Sequence, residues 1–315
     1  MNRREFLQAT AAIGVASAFG RSSANAVGTV PKRPLGKTGE KLSIVGMGGI
    51  VVVGMEQVEA DRIVGNSIER GVNYFDVAPS YGNGEAEERF GVALKTYRDR
   101  VFLACKTGRR DAAGAREELA TSLKRLQTDH LDLYQLHGLM NVGDVDKALG
   151  PGGAIEAFVE ARKAGKVRFL GFSAHSVDAA LAAIERFDFD TVLFPINWVC
   201  CLKGSFGPQV LKAAKAKNMG CLALKAMARG HWPEGAKRDY PKCWYQPETD
   251  PQTGALALRV TLSQSVTAAI PPGDERLFTP ALDVAAKFKP TTTADQQRLQ
   301  RLAADIEPLF RHPEE

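Results

Sequence analysis

Gly46-Met47-Gly48-Gly49-Ile50-Val51-Val52-Val53 decides between the two architectures open to this 315-residue chain. An open, doubly wound sheet would carry a G-x-G-x-x-G turn after its first strand and run from it straight into a helix. Here the glycines lead into residues 50–53, which do not start one. Residues 43–48 themselves form a short apolar run. Further runs follow at 73–77, 101–106, 131–137, 168–173, 191–197, 221–225 and 267–270. Short, mostly apolar runs suit parallel strands buried on both faces. Between them lie helical patterns such as 60–70, 86–95, 115–126, 155–164, 178–187 and 208–217, several of them ending at a glycine (Gly71, Gly165, Gly220). Eight strand–helix units in roughly 250 residues match a closed (β/α)8 barrel, the TIM-barrel form of the α/β class. Residues 32–41 have hairpin chemistry at Gly36 and Thr38-Gly39 and are expected to cap the bottom of the barrel. Residues 292–310 read as one extra C-terminal helix, and residues 30–315 as a single domain.

Composition fits a globular enzyme, with 44% hydrophobic and 24% charged residues. The net charge of +5 is spread along the chain, with no basic block beyond pairs such as Arg109-Arg110, which argues against a nucleic-acid groove. Arg3-Arg4 before Phe6-Leu7, a weakly apolar stretch over 9–20 and Ala24-Asn25-Ala26 resemble a twin-arginine export signal over residues 1–26. The reading implies a periplasmic protein handled by the twin-arginine machinery. The apolar stretch is too short to remain as a membrane span. Five cysteines lack metal-ligand spacing; buried free thiols are expected, with one distant disulfide as the alternative. No metal site is expected.

In a closed barrel, reactive side chains stand at the C-terminal ends of the strands. Those positions give Asp76 and, just beyond, Tyr81; Lys106; and His137. Each is bland alone. Together, with FDVAPSYGNGEAEERFGVAL (75–94), LKRLQTDHLDLYQLHG (123–138) and GKVRFLGFSAH (165–175), they resemble the aldo-keto reductase family, and the likeness runs from Arg33-Pro34-Leu35-Gly36 to Ile270-Pro271-Pro272-Gly273.

The resemblance implies a nicotinamide-dependent interconversion of a carbonyl (aldehyde, ketone or sugar) and an alcohol. Tyr81 would exchange the proton, Lys106 would tune it, Asp76 would hold Lys106, and His137 would orient the carbonyl. An unperturbed phenol has a pKa of about 10, so a nearby ammonium would be needed to favour the phenolate. For the cofactor, the resemblance implies contacts from Gly48, Ser173, Lys225, Arg229 and Arg276, with NADP as the family default and NAD as the alternative. Ala174 and Leu193 stand where the family has asparagine and glutamine. Those departures motivate a second reading, a non-catalytic nicotinamide-binding redox sensor or partner subunit. Trp198, Trp232, Trp244 and Tyr245 are expected in loops beside the cleft.

Overall fold

The computed structural model describes residues 28–313; the export signal read at residues 1–26 lies outside them. A hairpin comes first: β1 (Lys32–Pro34) pairs antiparallel with β2 (Lys41–Ser43). The barrel strands then begin with β3 (Met47–Gly48), β4 (Tyr74–Asp76), β5 (Phe102–Thr107), β6 (Leu131–Leu139) and β7 (Val167–Ala174). They continue with β8 (Thr191–Pro195) and β9 (Gly220–Leu224). A small antiparallel pair, β10 (Ala228–Gly230) and β11 (Gln246–Pro247), intervenes before the last barrel strand, β12 (Ala268–Ile270). Neighbours from β3 to β9 pair in parallel, and β12 pairs with β9. A parallel bridge between Val45 and Ala269 closes the ring. There Ala269 N donates to Ile44 O at 2.9 Å and Gly46 N donates to Ala269 O at 3.0 Å.

Alternation along these strands makes two cores. Inward-facing Tyr74, Phe102, Leu133, Leu193 and Leu222 fill the barrel, and Leu35 of the hairpin plugs it from below. Outward-facing Phe75, Leu103, Cys105, Tyr134 and Leu136 pack against the helices. The plug fits closely. A Cβ on Gly36, which holds φ 49°, would lie 2.3 Å from Gly220 N. The same period of two sets the chemistry one layer above the apolar plug. Asp76 follows Tyr74, Lys106 follows Ala104, and Gln135 and His137 follow Leu133.

The helices are α1 (Gln57–Glu69), α2 (Glu85–Ala93), α3 (Ala112–Arg125), α4 (Val142–Leu149), α5 (Ala154–Lys163), α6 (Val177–Arg186), α7 (Trp198–Lys203), α8 (Pro208–Ala216), α9 (Pro251–Leu262), α10 (Glu275–Ala286) and α11 (Thr293–Ala303). Among the described residues no helix is long and apolar enough to cross a membrane. All five cysteines are free, so the distant disulfide does not form here.

Several boundaries differ from the sequence expectation. The run 43–48 splits, because Ser43 finishes the hairpin and the chain turns into the barrel through Gly46, where a Cβ would meet the Tyr74 ring at 2.3 Å. The run 191–197 ends as strand at Pro195, and Asn197 instead caps α7, its side chain accepting from Val199 N and Cys200 N at 2.9 and 3.0 Å. Trp198 therefore sits in that helix, fully buried, and not in a loop. The expected helix over 292–310 stops at Ala303. Beyond it the chain leaves the helix, and the tail brings Phe310 to the cavity at the mouth of the barrel.

Candidate active site

Four strand ends converge at the mouth of the barrel. The Lys106 ammonium forms an ion pair with Asp76 Oδ1, donates to Val77 O at 3.1 Å and lies 3.3 Å from the Tyr81 hydroxyl. The other Asp76 oxygen accepts from the Tyr74 hydroxyl at 3.1 Å and from Gln135 Nε2 at 3.0 Å. Lys106 and Asp76 are 1% and 2% exposed, so neither charge could persist without the other. The His137 ring meets that of Tyr81 edge-on, 5.9 Å between centroids. The four tetrad residues expected from the sequence are thus brought together. Tyr81 arrives by a route of its own, on a 3-10 turn (Tyr81–Gly84) in which Gly82 and Gly84 hold φ of 63° and 97°, values that favour glycine.

The electrostatics modify one expectation. Burial pushes the Tyr81 hydroxyl up, Lys106 pulls it down, and the net direction is upward. The ammonium moderates the phenol without making it a phenolate at rest. Burial acts against the charge on Lys106, but Asp76 and Tyr81 outweigh it and its pKa is raised. His137 is lowered to about 3, first by burial and then by Lys106, Arg110 and Lys225, so its imidazole is neutral at ordinary pH.

These groups open into a cavity of about 360 Å³, a size that holds a small ligand or part of a larger one. Of the five residues expected to hold the cofactor, Gly48, Ser173 and Lys225 line it. A Cβ on Gly48 would meet only a methyl of Ile270, at 3.1 Å, which leaves the cavity wall flat there. Its neighbour Gly49 is spoken for by packing, since a Cβ there would lie 2.8 Å from Val77. Ser173 Oγ accepts the Gly138 amide at 2.8 Å and thereby fixes the turn after His137, where Gly138 has φ 64°.

Arg229 and Arg276 do not line this cavity. Arg229 pairs with Glu248 at 3.2 Å. Arg276 grips both oxygens of Asp274 at 2.8 and 2.9 Å and lies over Tyr240 at 4.3 Å. Of the four aromatic residues expected beside the cleft, Trp244 and Tyr245 line it, whereas Trp232 is tied by its Nε1 to Cys243 O at 2.8 Å. Sequence reasoning missed Tyr74 and Gln135 beneath Asp76, His175 beyond β7, and Phe310, which the C-terminal tail brings to the cavity. Alternation along the strands could have found the first two. Nothing local marked Phe310.

The cavity, with its buried Lys106–Asp76 pair and Tyr81, stands where known proteins can be compared. The model of the Aldo/keto reductase family matches residues 45–294. The chain is 36% identical over 154 residues to uncharacterized oxidoreductase YqkF of Bacillus subtilis (strain 168), covering 45% of this chain and 48% of that protein. It is 34% identical over 210 residues to aldo-keto reductase YhdN of the same organism, 61% of each. With L-galactose dehydrogenase of Arabidopsis thaliana it shares 29% identity over 214 residues, 63% of this chain and 66% of that one. The chain thus spans about half to two thirds of the length of these relatives. Among solved structures, the holo form of aldo-keto reductase AKR11C1 from Bacillus halodurans superposes with a TM-score of 0.69 at 24% identity, over 90% of this chain and 99% of that one. That likeness is one of fold. The sequence match over 45–294 carries the assignment: this chain belongs to the aldo-keto reductase family.

Proposed function

We propose that the protein is an NAD(P)H-dependent oxidoreductase that interconverts a carbonyl (aldehyde, ketone or sugar) and an alcohol. One observation carries the reading: a buried ammonium, fixed by Asp76, lies 3.3 Å from a tyrosine hydroxyl at the edge of a ligand-sized cavity. The bound nicotinamide would supply or accept the hydride. Gly48 offers it an unobstructed wall, and the Ser173 hydroxyl, whose oxygen already accepts from Gly138, still has its proton to donate.

Tyr81 gives its proton to the oxygen that gains charge as the carbonyl is reduced. Lys106 stabilises the phenolate left behind, and Asp76, held by Tyr74 and Gln135, keeps Lys106 charged and in place. Neutral His137 donates a hydrogen bond to the same oxygen and orients it. Replacing Tyr81 by Phe is expected to cut kcat by three orders of magnitude or more. NADPH and NADH titrations, followed by reduced-nicotinamide fluorescence, should still show binding. Turnover within tenfold of wild type would reject the mechanism.

NADPH remains the expected cofactor, with NADH as its rival, because a 2′-phosphate approaching Arg276 must compete with both oxygens of Asp274. The proposal includes export to the periplasm by the twin-arginine route, supported by Arg3-Arg4 and the cleavage-like Ala24-Asn25-Ala26. Cell fractionation of the Arg3→Lys, Arg4→Lys variant tests it, since unchanged export would refute that route.

A second reading, a nicotinamide-binding redox sensor or partner subunit without turnover, draws support from two side chains. Ala174 is fully buried and Leu193, in register with Ser173, faces the cavity, so neither offers a polar contact to a carboxamide. Cofactor retained without turnover across a broad carbonyl panel would favour it.

A further inference from the structure

We propose that Lys225 and His175 form an anion subsite beside Tyr81 and that the enzyme's substrates are carbonyl compounds carrying a carboxylate. This rests on the reductase reading of the same cavity and narrows its substrate class.

Lys225 is only 9% exposed and faces the cavity, yet no carboxylate pairs with it among the described residues. Its Nζ stands 2.9 Å from Nε2 of His175, and the rings of Trp244 and Phe310 lie 5.3 and 5.9 Å away. The backbone is bent to put it there. Lys225 has φ 62°, a left-handed conformation that a residue with a Cβ rarely adopts. Asn197 clamps that bend, donating from Nδ2 to Lys225 O at 3.0 Å, while Ala228 N donates to the same oxygen at 2.9 Å.

The charge balance points to what the site takes. Among the described residues, Asp76 is the one carboxylate lining the cavity, and Lys106 already neutralises it. Lys225 is therefore an uncompensated cation in a low-dielectric wall. A ligand carboxylate would supply the missing half of a buried ion pair. The titratable groups facing Lys225 are His175, His137 and Lys106, all neutral or cationic, and the Cys200 thiol. Burial lowers Lys225 to about 7, against a smaller upward pull from Cys200 and helped by repulsion from Lys106. Cys200 is itself pushed up to about 11 and stays neutral. The subsite is thus charged below about pH 7 and loses its charge as pH rises above that value.

The test compares 4-carboxybenzaldehyde with its neutral isostere, 4-carbamoylbenzaldehyde. Wild type at pH 6 should favour the acid at least tenfold in kcat/KM, with most of that preference gone at pH 9. Lys225→Met should collapse the ratio at least tenfold, and Lys225→Arg should carry the preference to pH 9. A wild-type ratio near one, or a ratio unchanged in Lys225→Met, overturns the proposal. So does weakened NADPH binding in Lys225→Met with the ratio intact, which would assign the charge to the cofactor's phosphates. Should the variants fail to fold, wild-type tryptophan fluorescence can follow benzoate and benzamide without turnover. Benzoate binding at least tenfold tighter at pH 6, fading by pH 9, supports the subsite; equal affinities reject it. Benzoate discrimination with neither aldehyde reduced would sink the reductase reading and leave the subsite standing.

Discussion

Tyr81 and His137 meet edge to face, but their protons are governed by different neighbours. Burial keeps the phenol protonated and the imidazole neutral, so at pH 7 both begin a reduction as donors. The two buried histidines also set an acid limit on folding. In the unfolded chain they bind protons below about pH 6.5, whereas in the folded protein His137 does so only near about 3 and His175 near about 2. Between those limits the unfolded state holds more protons, so the stability that rests on these two histidines is full above pH 6.5 and falls as the pH drops below it. Each histidine should cost on the order of 3 kcal/mol by pH 4. Melting temperatures measured from pH 7 to 4 should fall less steeply in His175→Asn than in wild type, and parallel curves would contradict this. Of these residues, the tetrad could be read from the sequence, because each member ends an apolar run or follows one closely. His175 could not, because its meaning depends on Lys225, fifty positions away.

At the scale of elements, α2 shows how tightly the site is backed. Gly91 lies against the end of α3, where a Cβ would stand 2.2 Å from Arg125 O. One turn earlier, fully buried Glu87 accepts from Arg125 Nη1 at 3.0 Å. The contact fixes the helix whose leading turn carries Tyr81. Gly91→Ala therefore has to push α2 and α3 apart, and a loss of about 3 kcal/mol in urea unfolding is expected; a loss under 0.5 would show that the helices can yield. Elements of this kind were legible wherever apolar period and caps agreed, as at α3, which Asp111 caps by accepting from Gly114 N at 2.7 Å. Short elements were not. α4 is only eight residues long and held by the Asn141 cap, accepting from Asp144 N at 2.9 Å. The ribbon of β10 and β11 pairs segments that stand on either side of a long loop, a contact no local pattern encodes.

Across the whole molecule, the barrel is stopped at both ends by chain from outside its repeat: Leu35 below, Phe310 above. The upper stop rests on His312 N, which donates to Gly204 O at 2.8 Å, and on Phe206, 5.1 Å from the Phe310 ring. Phe310→Ala is expected to raise KM for apolar carbonyl substrates about tenfold while shifting kcat less than threefold; steady-state kinetics with unchanged KM would deny the tail its role in the cavity. The bridge from Val45 to Ala269 has another consequence. A ring whose seam joins its first barrel segment to its last cannot close until that last segment has been made. Until the ribosome has delivered residue 269, the growing sheet is an arc with two raw edges, open to pairing with other nascent chains. A holdase that shields those edges should raise the yield of soluble protein.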